Sequence, residues 1–477
     1  MKTDTDVETR DYAYYKTTRG MCRKCRKVVN ARIFEKESRI FQENLCPECG
    51  RSIALIAEDR DWYFRHVDFR LQATPPEIFQ TRSVSGCPHD CGLCPWHENG
   101  PHLPVFSITN ACNLDCPICF TYNRQDSRYD MPVSEMKRTI DFLLRTRPEY
   151  DLINITGGEP TLHPDLIELI KVARDERIGR ITLNSNGIRL AEDLSLVKQL
   201  KELGVYVILS FNTLDSATSR KIHGVDLVDT KIRALENLAA HGVGVTLLNV
   251  MIGDINDHEI HDIIALSTKY PNVRSVTIQN MTFTGQGGSG FAPRKRVTLD
   301  MAVKNIETAS GGAIRREHFF PLPSNHPLCY SIGYFFKMNG RLISFTDLLS
   351  IEEINGLIGP HYFIHPDDQF HDVMRDAIAR SWADSRNEAL LQHIRLLLKR
   401  MYPPQALTPF ERQRIAEESI LTIYIHSHMD EDNFDISRIV SCTDLVPVDG
   451  ERLIPACAYN LFYRMKDERF YKQDRNE

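Results

Sequence analysis

Val105-Phe-Ser-Ile-Thr109 runs directly into Asn110-Ala-Cys-Asn-Leu-Asp-Cys-Pro-Ile-Cys-Phe120, and further on Asp151-Leu-Ile-Asn-Ile-Thr-Gly-Gly-Glu-Pro160 repeats the same design. In each, a short apolar run rich in β-branched residues stops where polar or glycine residues begin, which predicts a buried strand ending in a loop. The first loop carries Cys112, Cys116 and Cys119; the second carries two glycines and one carboxylate. Three thiolates at this spacing serve three irons of a 4Fe-4S cube and leave the fourth iron open for chemistry.

Working outward, the pattern recurs. Further candidate strands are 180–184, 206–211, 245–251 and 275–279, with helical apolar spacing between them, as in 134–144 and 166–174. Strand and helix alternating in this way predict the α/β class, with six β-α units on a parallel sheet forming a partial (β/α)6 barrel. Such barrels carry their reactive groups where strands end. Asn184-Ser-Asn-Gly187, Ser210 and Asn249 fall at those ends too, and Gly285-Gln-Gly-Gly-Ser-Gly290 closes the unit, which spans 104–296.

Three flanking units are expected. Residues 1–56 form a small ribbon clipped by Cys22, Cys25, Cys46 and Cys49, with a strand at Val28-Val-Asn-Ala-Arg-Ile-Phe34. Residues 57–103 are a loop rich in Pro and His, carrying Cys87, Cys91 and Cys94. Residues 297–477 read as a helical extension, with long segments at 367–401 and 408–426. Near its end Asp449-Gly450 predicts a hairpin turn that brings Cys442 to Cys457.

Ten of the thirteen cysteines lie in tight Cys-x2-Cys or Cys-x3-Cys spacings, and that arrangement favours metal ligation over disulfides. The ribbon quartet suits one tetrahedral ion, zinc or a rubredoxin-like iron. Arg19, Arg23, Lys24, Arg26 and Lys27 beside it read as a solvated basic face. The Cys87/Cys91/Cys94 loop should hold a second cluster, with His89 and His97 as candidates for its fourth ligand. Cys329 is expected to complete a third with Cys442 and Cys457, and His326 is its candidate fourth ligand.

With 42% apolar residues, 26% charged residues and a formal charge of -6, the chain offers no basic surface for nucleic acid. No stretch approaches the roughly twenty apolar residues of a membrane span. The expected location is cytoplasmic.

The Cys-x3-Cys-x2-Cys motif with its Gly-Gly-Glu-Pro turn resembles the radical S-adenosylmethionine (radical SAM) superfamily. The resemblance implies S-adenosylmethionine bound at the open iron, its amine meeting Gly157, Gly158 and Glu159 of the turn that Pro160 ends. Ser185 and Ser210, with Asn249, would contact the ribose. The family usually has an aromatic residue before the last cysteine, near the adenine; here Ile118 stands there, with Phe120 just beyond.

The order of ribbon, Cys-Pro-x-Asp-Cys-Gly-Leu-Cys loop, cluster motif and cysteine-bearing extension is similar to the archaeal tetraether synthase family, formerly assigned as pterin methylase. That resemblance implies three 4Fe-4S clusters, a tetrathiolate zinc or iron, and coupling of the terminal carbons of two lipid chains. Two hydrogen abstractions would be needed, with the Cys87 loop holding the first activated carbon. It also implies an external electron donor such as ferredoxin or flavodoxin, a monomer, and peripheral contact with the membrane. Candidate docking segments are His393-Ile-Arg-Leu-Leu-Leu-Lys-Arg400 and Tyr362-Phe-Ile-His365. Two other readings stand beside it: a radical methylase acting on a pterin or similar small molecule, which would need a compact polar pocket, and a non-catalytic iron-sulfur electron-transfer module.

Overall fold

The computed structural model describes residues 10–69, 71–72, 74–121, 128–292, 294–382 and 388–470. Four antiparallel strands come first: β1 (Ala13–Met21), β2 (Val28–Lys36), β3 (Arg39–Cys46) and β4 (Gly50–Ala57). The Cys22 and Cys46 knuckles lie before β2 and between β3 and β4, so strand pairing alone brings the four thiols together. Each knuckle closes with a left-handed residue just after its second cysteine, Arg26 (φ 57°) and Gly50 (φ 84°). Glycine takes that conformation freely, whereas Arg26 is held there by bonds from its guanidinium to Glu431 (2.9 Å) and to the Leu461 carbonyl (2.6 Å). Lys27 pairs with Glu48 and Arg23 approaches Asp432, so much of the basic face is paired with acids as well as solvated.

Six parallel strands follow in sequence order: β5 (Leu103–Ser107), β6 (Ile153–Thr156), β7 (Ile181–Ser185), β8 (Tyr206–Ser210), β9 (Val245–Met251) and β10 (Val273–Asn280). Helices such as Val133–Thr146 and Leu166–Ala173 connect them and bury one apolar stripe each. Along β9 buried and half-buried residues alternate strictly, because only one face of that strand meets the core.

The C-terminal region differs in part from its helical reading. Helices at Asp368–Ser381, Glu388–Met401 and Pro409–Ser419 are present, but the last ends at Ser419. After β11 (Phe320–Pro321), β12 (Tyr330–Met338) and β13 (Arg341–Ser344), residues Ile420–His426 form β14, which extends the barrel sheet parallel to β10. β12 then pairs antiparallel with β14. At the other edge β15 (Asp444–Val448) pairs with β5, and β16 (Arg452–Pro455) returns beside it through the Asp449-Gly450 turn, as expected. Ile-Leu-Thr-Ile-Tyr-Ile-His is mostly β-branched and aromatic, so local preference and the open edge of β10 agree. The extension thus covers both edges of the partial barrel.

Both proposed docking segments are built into this packing. Ile394, Leu397 and Leu398 are buried in a second apolar core with Tyr334, Phe336 and Met374, and so are Tyr362, Phe363 and Ile364. No helix among the described residues is long and apolar enough to cross a membrane.

The helix Arg60–Val67 ties the ribbon to β12 through His66, whose ring stacks on Trp62 and whose Nε2 lies 3.1 Å from Ser331 Oγ. Burial pushes the imidazole down to about 3. A base depressed on folding contributes stability above its unfolded value near 6.5, and loses it as pH falls toward the folded value. Between pH 6.5 and 5 the loss is roughly 2 kcal/mol. Denaturant melts of His66→Gln are expected to show a flatter acid limb than the parent over that interval.

Candidate active site

The cysteine loop and the glycine turn are physically one object. Gly158 N–H donates to Thr109 O at 2.8 Å and Glu159 N–H to Ala111 O at 2.7 Å, so the turn after β6 clamps the backbone that leads into Cys112. A Cβ on Gly157 would lie 2.3 Å from Thr109 O, and one on Gly158 2.3 Å from Ala111 O. Only glycine permits that approach.

Glu159 is buried, and its carboxylate is fully occupied. Oε1 accepts from Thr161 N–H, Thr161 Oγ1 and Ser185 Oγ, and Oε2 accepts Asn186 N–H at 2.7 Å. Its role in this arrangement is to join the ends of β6 and β7. Burial holds its pKa above the usual carboxylate range against those donated bonds.

Burial also pushes the thiols of Cys112 and Cys116 up, to about 11 and about 12. They are protonated at neutral pH, so metal binding must displace those protons. Cys119 Sγ lies 3.2 Å from Thr121 Oγ1, and Cys116 Sγ lies 3.6 Å from His223 Nδ1. Burial lowers His223 to about 2, keeping it neutral.

Lys231 is the principal group that sequence reasoning missed. It is wholly buried, its ammonium donates to Ser210 O at 2.5 Å, and burial lowers it to about 8, with Cys116 and Glu159 opposing. A buried cation whose hydrogen-bond partners are the carbonyl and, at 3.4 Å, the hydroxyl of Ser210, with Cys116 nearby, is a ready counter-ion for a carboxylate. Its helix, Val228–Ala240, carries no motif, so only the fold discloses it.

Asn249 donates to the carbonyls of Phe211 and Asn212, while its own Oδ1 is buried without a partner. Asn212 and Asn256 complete this stitching between β8 and β9. An orphaned buried acceptor beside Ser210 fits an incoming hydroxyl. Ile118 belongs to an apolar cluster with Ile222, Ile252, Met281 and Phe283, whereas Phe120 stacks on His428 at 5.8 Å.

The ribbon quartet fits a single ion. Its four thiols lie within 4.8 Å of one another, and the Cys25–Cys46 separation of 3.7 Å matches the edge of a tetrahedron with bonds of about 2.3 Å. Burial raises the Cys22 thiol, but the backbone N–H groups of Cys25 and Lys24 outweigh it and bring it to about 7.

The fold places members of the other two trios side by side. Cys87 and Cys91 pack with Cys457 in one apolar cluster, and Asp90 closes their loop by accepting three N–H bonds, from Val84, Ser85 and Gly86. His97 Nε2 sits 2.8 Å from Cys442 O, so it is turned away from that loop, while the His89 ring meets Phe462. Cys329, Cys442 and Cys457 approach closely enough that charge on Cys457 and Cys329 adds to the burial that raises Cys442. The imidazole placed at Cys457 is that of His428, with Nδ1 at 3.5 Å, whereas His326 Nδ1 accepts Leu328 N–H within its own turn.

Residues 106–267 match the profile of the Radical SAM superfamily, and residues 14–58 match the HMPTM N-terminal zinc ribbon domain. The chain carries a radical SAM domain.

The chain is 28% identical over 489 aligned residues, 95% of each chain, to 7,8-dihydro-6-hydroxymethylpterin dimethyltransferase of Methanocaldococcus jannaschii. It is 32% identical over 164 residues to a probable GTP 3',8-cyclase of Pyrococcus abyssi, a match spanning 34% of this chain and 52% of that protein. Among solved structures, Streptococcus suis SuiB bound to S-adenosylmethionine matches 44% of this chain and 47% of its own, at 20% identity and a TM-score of 0.38. The radical SAM domain accounts for the 4Fe-4S site and S-adenosylmethionine; the zinc ribbon accounts for the N-terminal quartet.

Proposed function

We propose that this radical SAM enzyme removes hydrogen from unactivated carbons and joins two lipid chains by a carbon-carbon bond. When bound at Cys112, Cys116 and Cys119, a 4Fe-4S cluster supplies the electron that splits S-adenosylmethionine into methionine and a 5'-deoxyadenosyl radical. The protein's own residues orient the reaction. Gly157 and Gly158 receive the methionyl amine, Lys231 neutralises the carboxylate, Ser185, Ser210 and Asn249 take the ribose hydroxyls, and Ile118 packs near the adenine.

The observation that carries the lipid reading is the buried apolar cluster packed beside the cysteines. Ile222, Ile252, Ile255, Met281, Phe283 and Phe291 cluster with Ile118, and Cys116 packs against them. They follow the ends of β8, β9 and β10, where a polar heterocycle would call for convergent hydrogen-bonding groups. The two further cysteine trios support a reaction with more than one radical step, the Cys87 loop holding the first activated carbon. Zinc is the ion we assign to the ribbon, and ferredoxin or flavodoxin the class of electron donor.

A second reading, methylation of a pterin, is favoured by the name of the archaeal relative that matches 95% of the chain. Anaerobically reconstituted protein given S-adenosylmethionine and a reductant should couple lipids in a membrane extract, seen as products at twice the chain mass. Methylated 7,8-dihydro-6-hydroxymethylpterin with no coupled lipid would establish the second reading instead. Replacing both Cys87 and Cys91 with alanine should abolish coupling while 5'-deoxyadenosine still forms.

Lys231→Met supplies a separate check. Losing a charge-assisted bond worth about 1.5–3 kcal/mol should weaken S-adenosylmethionine binding roughly 10- to 100-fold by calorimetric titration. The melting temperature should hold or rise, because methionine fills the buried space without a charge to desolvate.

A further inference from the structure

Away from the cysteine loop, at the opposite ends of the parallel strands, Asp151 leads into β6 with a buried side chain. Its Oδ2 accepts Tyr362 N–H at 2.7 Å. Its Oδ1 faces two imidazoles, with His361 Nδ1 at 2.9 Å and His365 Nε2 at 3.3 Å. These three ligand atoms lie within 4.8 Å of one another; among the described residues only the ribbon quartet forms another such group.

Three features separate this trio from a simple ion pair. His365 Nε2 is buried and makes no hydrogen bond, despite its closeness to the carboxylate. Its ring is set by parallel stacking on Phe363 at 5.0 Å and by the His361 ring at 4.3 Å, so its nitrogen is aimed by packing. The 3.3 Å separation from Oδ1 equals the ligand-to-ligand edge around an ion bound at about 2.0–2.1 Å. The Tyr362 N–H on Oδ2 is the kind of outer bond that orients a ligating carboxylate. Close by, His102 is buried with its Nε2 unpartnered, while its Nδ1 lies 2.8 Å from an Arg147 nitrogen.

We propose that Asp151, His361 and His365 bind one divalent transition-metal ion of the zinc class, with the fourth position open to solvent. One carboxylate and two imidazoles are the donor set such ions favour. The histidine side chains are 31% and 39% exposed, so the trio lies close enough to the surface for an ion to enter from solvent. On binding, the ion takes the place of any proton shared between His361 and Asp151, and that proton leaves to solvent. Asp151 belongs to the barrel and the histidines to the C-terminal extension, so the ion acts as a buckle between them. The site stands independently of the lipid or pterin reading, because it lies at the other end of the strands from the cysteines.

The test uses untagged, fully reconstituted protein equilibrated with zinc sulfate, desalted, and analysed for zinc and iron. The parent is expected to hold about one zinc per chain more than His361→Gln/His365→Gln, with equal iron in both. Zinc should raise the melting temperature of the parent and leave that of the double variant unchanged. Asp151→Asn keeps an acceptor for Tyr362 N–H and should lose the same equivalent. A crystal of the parent soaked in zinc, measured on both sides of the zinc edge, needs no variant and should show an anomalous peak between the three side chains. Equal zinc in parent and variants, or no peak between Asp151 and the two histidines, would overturn the proposal and leave a hydrogen-bonded ion pair.

Discussion

Cys116→Ala should eliminate S-adenosylmethionine cleavage. In anaerobically reconstituted, reduced protein, 5'-deoxyadenosine formation is expected to fall at least about a thousand-fold, equivalent to roughly 4 kcal/mol of lost transition-state stabilisation. The protein should also lose about four irons, one cube, while keeping its ribbon ion. The fold should survive, because Cys116 is only half-buried and stands in a loop outside the paired strands. Undiminished 5'-deoxyadenosine would remove the catalytic assignment of the trio altogether. Loss of all iron would instead mean that the other cysteines depend on this loop for assembly.

Gly158→Ala should have nearly as large an effect without touching a ligand. The added methyl would need the space 2.3 Å from the Ala111 carbonyl, the atom that accepts Glu159 N–H and immediately precedes Cys112. Neither partner can yield alone, since both are backbone held in the same clamp. Relief requires the cysteine loop to move off the turn, at a cost of about 1–3 kcal/mol in stability. Cleavage should fall at least about a hundred-fold, because a displacement of about 1 Å misplaces the reacting groups. Gly290→Ala is the control: an added Cβ there meets nothing within 4 Å, so melting temperature and turnover should match the parent. If Gly158→Ala behaved like that control, the clamp would carry no function.

The barrel was legible because its evidence is local. Each parallel strand is a short apolar run with at least one buried face, and the candidate reactive residues lie at or just after the strand ends. Val245–Met251 was recovered with its boundaries unchanged, and the Asp449-Gly450 hairpin formed between β15 and β16 as its turn residues require. β14 was harder. Ile420–His426 follows the helix Pro409–Ser419 with no glycine or proline between them to mark the boundary, and whether it continues that helix or leaves it depends on the open edge of β10, which lies far away in sequence.

The same division runs through the site. Cys112, Cys116, Cys119 and the Gly157-Gly158-Glu159 turn announce themselves by spacing, since one loop must wrap one cluster and one turn must lie flat against it. Spacing is a property of neighbours along the chain, and the sequence by itself determined the radical SAM barrel and the metal-binding character of the ribbon. It could not determine that Glu159 is spent on joining β6 to β7, that His428 rather than His326 stands at Cys457, that Lys231 reaches Ser210, or that Asp151 meets His361 and His365. Those contacts join segments that the chain keeps apart, and only tertiary packing sets their distances. Burial then decides their charge, because a side chain's proton affinity depends on the water and the partners left to it.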